Sequence, residues 1–228
     1  VWSSYDGVHW QLVTASAAWA PRFGMAVDTM ANPGGLDDPG IMIVSGGGSY
    51  TGAGEVMYND VWTSIDGQDW RLASADAGWT PRARHAMASL RGPEGNATLW
   101  LAGGEEVGGG TRRDVWYSDD AGATWQLDSG SAPWLDRAGH AMVRYRGQLF
   151  LTAGRTSAFM NVDLAQPILR DVWKSADGRV WEQVLDEAPF DGREDFGMAV
   201  HAASDRLVIV GGQGQIARMA DVWVSPQN

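Results

Sequence analysis
The sequence predicts an all-β chain, a β-propeller of four-stranded antiparallel blades with about four blades in the 228 residues. Three observations predict it. The chain holds 13 Trp and 30 Gly, well above ordinary usage. Twelve of those Trp lie on a pattern recurring every ~50–60 residues, with Trp100 the exception. No segment carries a sustained apolar period of about 3.6 residues, so helix should be close to absent.

Each unit reads as four short strands, termed a to d. Strand a surrounds an Ala/Gly-Met pair that follows an Arg: Gly24-Met25, Ala86-Met87, Ala141-Met142 and Gly197-Met198. Strand b is an apolar run ending in small residues. It runs from Ile41 to Gly46-Gly47, Leu99 to Gly103-Gly104, Leu149 to Ala153-Gly154, and Leu207 to Gly211-Gly212. Strand c is the Val-Trp pair, at Trp2, Trp62, Trp116, Trp173 and Trp223, with Asp60, Asp114, Asp171 and Asp221 before the last four. A Ser-x-Asp-Gly turn then leads to strand d, as in Ser64-Ile65-Asp66-Gly67 before Trp70. Asp-Gly between such segments signals a hairpin, because both residues accept the positive φ that the turn requires. Nine residues beyond each strand-d Trp stands another aromatic: Trp19, Trp79, Trp134 and Phe190. A blade cannot bury both faces alone, so the repeated aromatics are assigned to packing between blades. A Trp burying ~150–250 Å² contributes at most roughly 4–6 kcal/mol by area.

The order Arg, His/Phe, apolar strand, Gly-Gly, Asp-Val-Trp and a final Trp resembles the kelch repeat. The turn Ser-x-Asp-(x)-Gly-x-x-Trp resembles the Asp-box of sialidase-type propellers, most fully at Ser118 to Trp125. The resemblance covers nearly the whole chain and implies a propeller in which both motifs are scaffolding. It also implies a protein-binding module, the commoner role of kelch propellers, of which a minority are enzymes. The first copy departs from the pattern by placing Arg22 directly before Phe23. The others put two residues between Arg82 and His85, Arg137 and His140, and Arg193 and Phe196.

A single repeat array is expected over 1–228, with units near 1–22, 23–81, 82–136, 137–192 and 193–228. It would hold five c strands and four each of a, b and d. A closed four-blade ring has one c strand fewer, and a five-blade ring needs more strands than the chain has. The expectation is therefore part of a longer propeller, or a ring completed from elsewhere.

Composition narrows the function classes. A net charge of −11 disfavours nucleic acid and anionic membranes as partners. No apolar run approaches the ~18 residues of a spanning helix. The absence of cysteine excludes disulfides, thiolate metal sites, thiol nucleophiles and a galactose-oxidase-like copper centre. The Gly-rich stretches lack the Lys-Ser/Thr and helix of a phosphate cradle. No Asp-x-Asp-x-Asp-Gly loop suggests calcium, and no metal or cofactor is expected.

Binding is expected on the face carrying the b–c loops, which differ in length and composition while the c–d turns are uniform. They run from Gly48 to Asn59, Glu105 to Arg113, Arg155 to Arg170, and Gln213 to Ala220. Candidate partner-binding residues are Tyr50, Tyr58, Glu105, Glu106, Phe159, Leu164 and Ile168, the third loop being unusually apolar. Arg82, Arg137 and Arg193 are placed near the central channel on the same face. With His85 and His140, at equivalent positions of two blades, they are the candidate ligand-binding residues, although two histidines without a clustered third ligand read as structural. A ring of guanidinium groups suits a carboxylate or sulfate. The competing reading pairs each arginine with Asp60, Asp114, Asp171 or Asp221 to lock neighbouring blades. Asn96-Ala97-Thr98 is an N-glycosylation acceptor in an a–b loop. These features point to a non-catalytic scaffold, extracellular or at the cell surface, that binds a protein or glycan. Further copies, or the rest of a longer propeller, are also expected partners. The alternatives are a glycan-acting enzyme or lectin using the channel arginines, and a cytoplasmic location.

Overall fold
The computed structural model describes residues 1–30, 40–92, 94–157 and 167–226. Among them are seventeen β-strands and no helix. A lone c–d pair, β1 (Trp2–Ser3) and β2 (Gln11–Leu12), comes first. Three complete sheets follow, each ordered a-b-c-d. The first is β3 (Ala26–Met30), β4 (Ile41–Thr51), β5 (Gly54–Ser64) and β6 (Arg71–Ser74). The second is β7 (Ala86–Arg91), β8 (Ala97–Ala102), β9 (Val115–Ser118) and β10 (Gln126–Ser129). The third is β11 (Ala141–Tyr145), β12 (Gln148–Thr152), β13 (Val172–Ser175) and β14 (Glu182–Leu185). Last comes an a-b-c sheet of β15 (Gly197–His201), β16 (Arg206–Val210) and β17 (Val222–Val224). Every pairing is antiparallel, and the sheets stand side by side as propeller blades. The first b–c connection is not an irregular loop. The β4–β5 ladder continues through it to Thr51 and Gly54, past a register shift between Ser45 and Gly47.

Strand registry corrects the alignment of the first repeat. Ala86 lies opposite Ala102, and Ala141 opposite Thr152, the residues just before each small-residue pair. In the first blade that place belongs to Ala26, opposite Ser45, and not to Gly24. Met25 therefore stands where His85 and His140 stand. Phe23, bridged to Gly48 as Ala83 is to Glu105, is no counterpart of the histidines. The apparent missing residues after Arg22 reflect this choice of anchor, not a deletion.

The small-residue pairs form the blade-to-blade joints. The second glycine donates its N–H to the carbonyl of the next blade's arginine: Gly47 to Arg82 (2.9 Å), Gly104 to Arg137 (2.8 Å) and Gly154 to Arg193 (2.8 Å). The first glycine makes room for a ring. A Cβ on Gly46 would lie 2.8 Å from His85 Cε1, and one on Gly103 2.9 Å from His140 Cε1. Gly103 also has φ +60°. Gly103→Ala is accordingly expected to cost about 1–3 kcal/mol in urea unfolding, whereas Gly130→Ala, with open space around it, costs far less. The third joint tolerates Ala153 at φ 64°, where it shares an apolar cluster with Phe196.

The aromatic following each d strand inserts against the tryptophans of the next blade. Trp19 meets Trp62 and Trp70 at ring-centroid distances of 5.8 and 4.7 Å. Trp134 meets Trp173 and Trp181 at 5.8 and 4.7 Å. Trp79 reaches Trp125 at 6.2 Å, and Phe190 reaches Trp223 at 6.3 Å. These contacts anchor apolar clusters between blades, including Ile43, Val61, Leu99 and Leu101 in one and Trp100, Val115, Leu149 and Leu151 in another. The assignment of the repeated aromatics to packing holds inside the array and fails at its flanks. Trp2 (60 %), Trp10 (59 %) and Trp223 (37 %) are exposed, with no further sheet among the described residues over those faces.

The innermost strands touch in the order β3, β7, β11, β15, and no comparable packing joins β15 to β3 among the described residues.

Candidate functional site
The repeated arginines enter a fixed chemical setting just before strand a. Arg82 Nη1 donates to Asp114 Oδ1 (2.6 Å) and to the Gly103 carbonyl (2.8 Å), and Nη2 donates to Asp114 Oδ2 (2.8 Å). Its Nε donates to the Thr80 carbonyl at 3.0 Å, and Trp116 Nε1 donates to the same aspartate at 2.8 Å. Arg137 repeats this with Ala153, Asp171, Leu135 and Trp173. Arg193 does so with Gly211, Asp221, Asp191 and Trp223. Arg22 does so with Gly46, Asp60, Ala20 and Trp62, so it belongs to the series. Side-chain exposure of Arg82, Arg137 and Arg193 is 0 %. A ligand in the channel cannot reach them, which corrects the expected anion-gripping ring. The pairing with aspartates is present, but it joins the start of strand a to strand c of the same blade instead of locking neighbours. Burial pushes the Asp114 carboxyl up, and the hydrogen bonds and charge of Arg82 more than offset it, leaving it below its ordinary value.

His85 and His140 sit in the joints, not in an open channel. Ser45 Oγ lies 2.9 Å from His85 Nε2, whereas His85 Nδ1 has no partner among the described residues. His140 is buried with neither ring nitrogen in a well-formed hydrogen bond. Burial, reinforced by the Arg82 charge, pushes His85 from 6.5 down to about 3. His140 is lowered in the same direction by burial, Arg137 and His85. A depressed histidine binds its proton in the unfolded chain first, so its stability contribution is full above about pH 6.5 and falls as pH drops towards 3. Between pH 7.5 and pH 5 His85 alone is expected to cost about 2 kcal/mol of folding free energy. Urea titrations at both pH values check this, and His85→Phe should flatten the dependence. Glu194, whose carboxyl burial pushes up, acts in the opposite sense and offsets part of the loss.

A feature that no repeat motif marks lies at the starts of the a strands. One residue per blade adopts left-handed backbone there: Gly24 (φ 61°), Arg84 (54°), Gly139 (65°) and Asp195 (51°). Their main chains link in series. Arg84 N–H donates to the Gly24 carbonyl (2.6 Å), Gly139 N–H to that of Arg84 (2.9 Å), and Asp195 N–H to that of Gly139 (2.9 Å). Around this line lies an ionic cluster. Arg84 reaches Glu105 (3.3 Å), Asp195 (3.4 Å) and Glu194 (3.7 Å). Arg155 contacts Glu105 and lies 2.8 Å from Glu194 Oε2. Two guanidinium groups face three carboxylates, so both cations are matched within the cluster and it presents no surplus positive charge to an anion. Its members come from positions that differ between repeats, so no recurring motif marks them; the one local hint is that each follows a repeated arginine or a small-residue pair.

The partner-binding candidates separate by exposure. Glu105 is buried in the axial cluster and is not available to a partner. Glu106 is half-buried and doubly bonded to Arg112, at 2.8 and 2.7 Å. Tyr58 lies under the Arg22 guanidinium at 4.3 Å and bonds Ser49, so it braces the β4–β5 hairpin. Ile168 is half-buried and bridged to Arg155. Tyr50 alone projects, stacked on Phe23 with ring centroids 5.1 Å apart. Phe159 and Leu164 lie outside the described residues. Two exposed residues were overlooked, Val107 and Ile216, each within the variable b–c segments. Beside Ile216 a cleft of about 470 Å³ opens between the third and fourth blades, lined by Ile168, Asp191, Gln215, Arg218 and Met219. Asn96 is exposed in the β7–β8 turn, on the opposite face.

Among the described residues no group of three or more His, Asp or Glu is arranged to hold a metal ion. No helix there is long and apolar enough to cross a membrane. No protein-family model matches the chain.

Proposed function
We propose that the protein is a non-catalytic scaffold of kelch-like repeats with Asp-box-type turns, which binds another protein through its b–c face. The observation that carries this reading is the set of exposed large side chains at the b–c tips. Tyr50 is 76 % exposed, Val107 60 % and Ile216 98 %, one on each blade whose tip is described. Single exposed apolar residues are ordinary, but three on one face, on the variable segments of a uniform frame, form a binding rim. The loops beneath are braced: Thr111 and Ser157 from neighbouring blades share Asp136 and bond each other at 2.8 Å. A rim held in place loses little freedom on binding. The net charge of −11 favours a partner with a basic surround.

The glycan reading moves from the arginines to Tyr50, whose stacked and exposed ring offers a flat apolar surface to a sugar. An extracellular or cell-surface setting is proposed with both readings, supported by the exposed Asn96 acceptor and the turn type.

Photo-crosslinking groups placed at Tyr50 and Ile216 are expected to capture the partner. Groups at Ile65 and Val180, exposed in the c–d turns of the opposite face, should not. Tyr50→Ala is expected to weaken binding about tenfold or more while leaving urea unfolding unchanged. Capture from the c–d turns alone would contradict the proposal. Binding to a glycan array that is lost in Tyr50→Ala would favour the lectin reading.

A further inference from the structure
The three complete blades repeat one junction between the start of strand c and the loop after strand d. The residue before the strand-c aspartate accepts a main-chain bond from an alanine of that loop. Asn59 accepts from Ala77 (3.1 Å), Arg113 from Ala132 (3.0 Å) and Arg170 from Ala188 (2.9 Å). In the first and third blades the residue before the alanine is an acid that meets the side chain opposite. Asn59 Nδ2 donates to Asp76 at 2.7 Å, and Arg170 Nη2 to Glu187 at 2.5 Å. In the second blade that residue is Ser131. The exposed Arg113 guanidinium accordingly has no hydrogen bond or ion pair among the described residues.

Arg113 lines a cleft of about 450 Å³ between the second and third blades. The rest of its lining divides in chemistry. Pro133, Leu135 and Leu169 are apolar, with Leu135 41 % exposed, whereas Gln183 and Asp186 are polar. Gln183 Nε2 donates to Asp186 Oδ1 at 3.2 Å, which leaves the Gln183 carbonyl oxygen and the second Asp186 oxygen as acceptors. From this we infer that the cleft binds an acidic sugar, a hydroxyl-bearing ring with one carboxylate. The carboxylate takes the place that Glu187 holds in the third blade and accepts from Arg113 in charge-assisted hydrogen bonds. The C–H face of the ring lies on Pro133 and Leu135, and its hydroxyls donate to Gln183 and Asp186. The cleft has the volume of a small-ligand site. One unmatched arginine accommodates one carboxylate, while Asp186 and the net charge of −11 disfavour ligands with several, such as an acidic peptide. The site is separate from Tyr50 and is independent of what the b–c rim binds.

The test titrates the 228-residue chain with methyl glucuronide while following the methyl NMR signals of Leu135 and Leu169. Saturable shifts are expected, and methyl glucoside, which lacks the carboxylate, should bind at least ~10-fold more weakly. Arg113→Ala should weaken glucuronide binding at least ~10-fold and leave the urea midpoint unchanged, since its side chain is exposed and unbonded. Arg91→Ala, at an exposed arginine of the opposite face, should leave binding unchanged. Ser131→Glu supplies the missing acid from within the chain and should abolish binding in a protein that folds normally. Binding that persists in Arg113→Ala or in Ser131→Glu would overturn the inference, as would the absence of saturable shifts. Equal affinity for the glucoside would remove the carboxylate from the account. Equal affinity for N-acetylglutamate would assign Arg113 to acidic side chains of a protein instead of a sugar.

Discussion

Arg137→Ala is expected to remove about 3–5 kcal/mol of folding free energy, measured by urea unfolding at neutral pH. The guanidinium is fully buried, with donors spent on both Asp171 oxygens and on two carbonyls. Truncation strands the Asp171 carboxylate beside Trp173 and leaves two main-chain acceptors without donors. Lysine does not repair this, because a single ammonium cannot reproduce the planar fork. Arg137→Lys should therefore recover only a minor share. A ligand-gripping arginine would behave differently: the variant would fold normally and lose binding alone.

Trp134→Ala is expected to cost about 3–5 kcal/mol as well, through a cavity at the joint of the second and third blades. Trp134 is 2 % exposed and packs edge-on against both Trp173 and Trp181. The comparison is Trp10→Ala, a repeat tryptophan 59 % exposed on the first flank, which should cost below about 1 kcal/mol. The same motif letter thus carries different weight according to whether a neighbouring blade covers it.

Much of the frame was legible because it rests on periodic, local chemistry. Asp-Gly turns, Gly-Gly pairs and Asp-Val-Trp strands each solve one problem of a four-stranded blade and recur in every copy. The Ser-x-Asp-Gly turns show this directly: Asp66 Oδ1 accepts the N–H groups of Gln68 and Asp69 at 2.8 Å, and Ser64 Oγ that of Gly67 at 2.9 Å. The first repeat reads out of register because Gly24-Met25 imitates the Ala/Gly-Met pair that anchors strand a in the other copies. Only pairing shows Ala26 opposite Ser45. The repeated aspartates are legible as one of two possible partners for the arginines, but which aspartate each arginine takes, and that both belong to one blade, depends on chain path, which spacing does not contain. The axial cluster of Arg84, Glu105, Arg155 and Glu194 was invisible for the opposite reason: each member is a departure from the repeat. The b–c face was legible as variable, whereas which of its side chains project had to be seen. Glu105 turns inward to pair with two arginines, and Ile216, in a less noticed loop, turns out.

The central claim is that the repeated arginines are internal clamps and the binding surface lies elsewhere. Nitrogen-15 NMR of the arginine side chains tests this most directly. Arg22, Arg82, Arg137 and Arg193 should give Nε–H signals that exchange slowly with solvent and do not move when sulfate or a sugar carboxylate is added. Fast exchange of these four signals, or shifts that saturate with the added anion, would contradict the account.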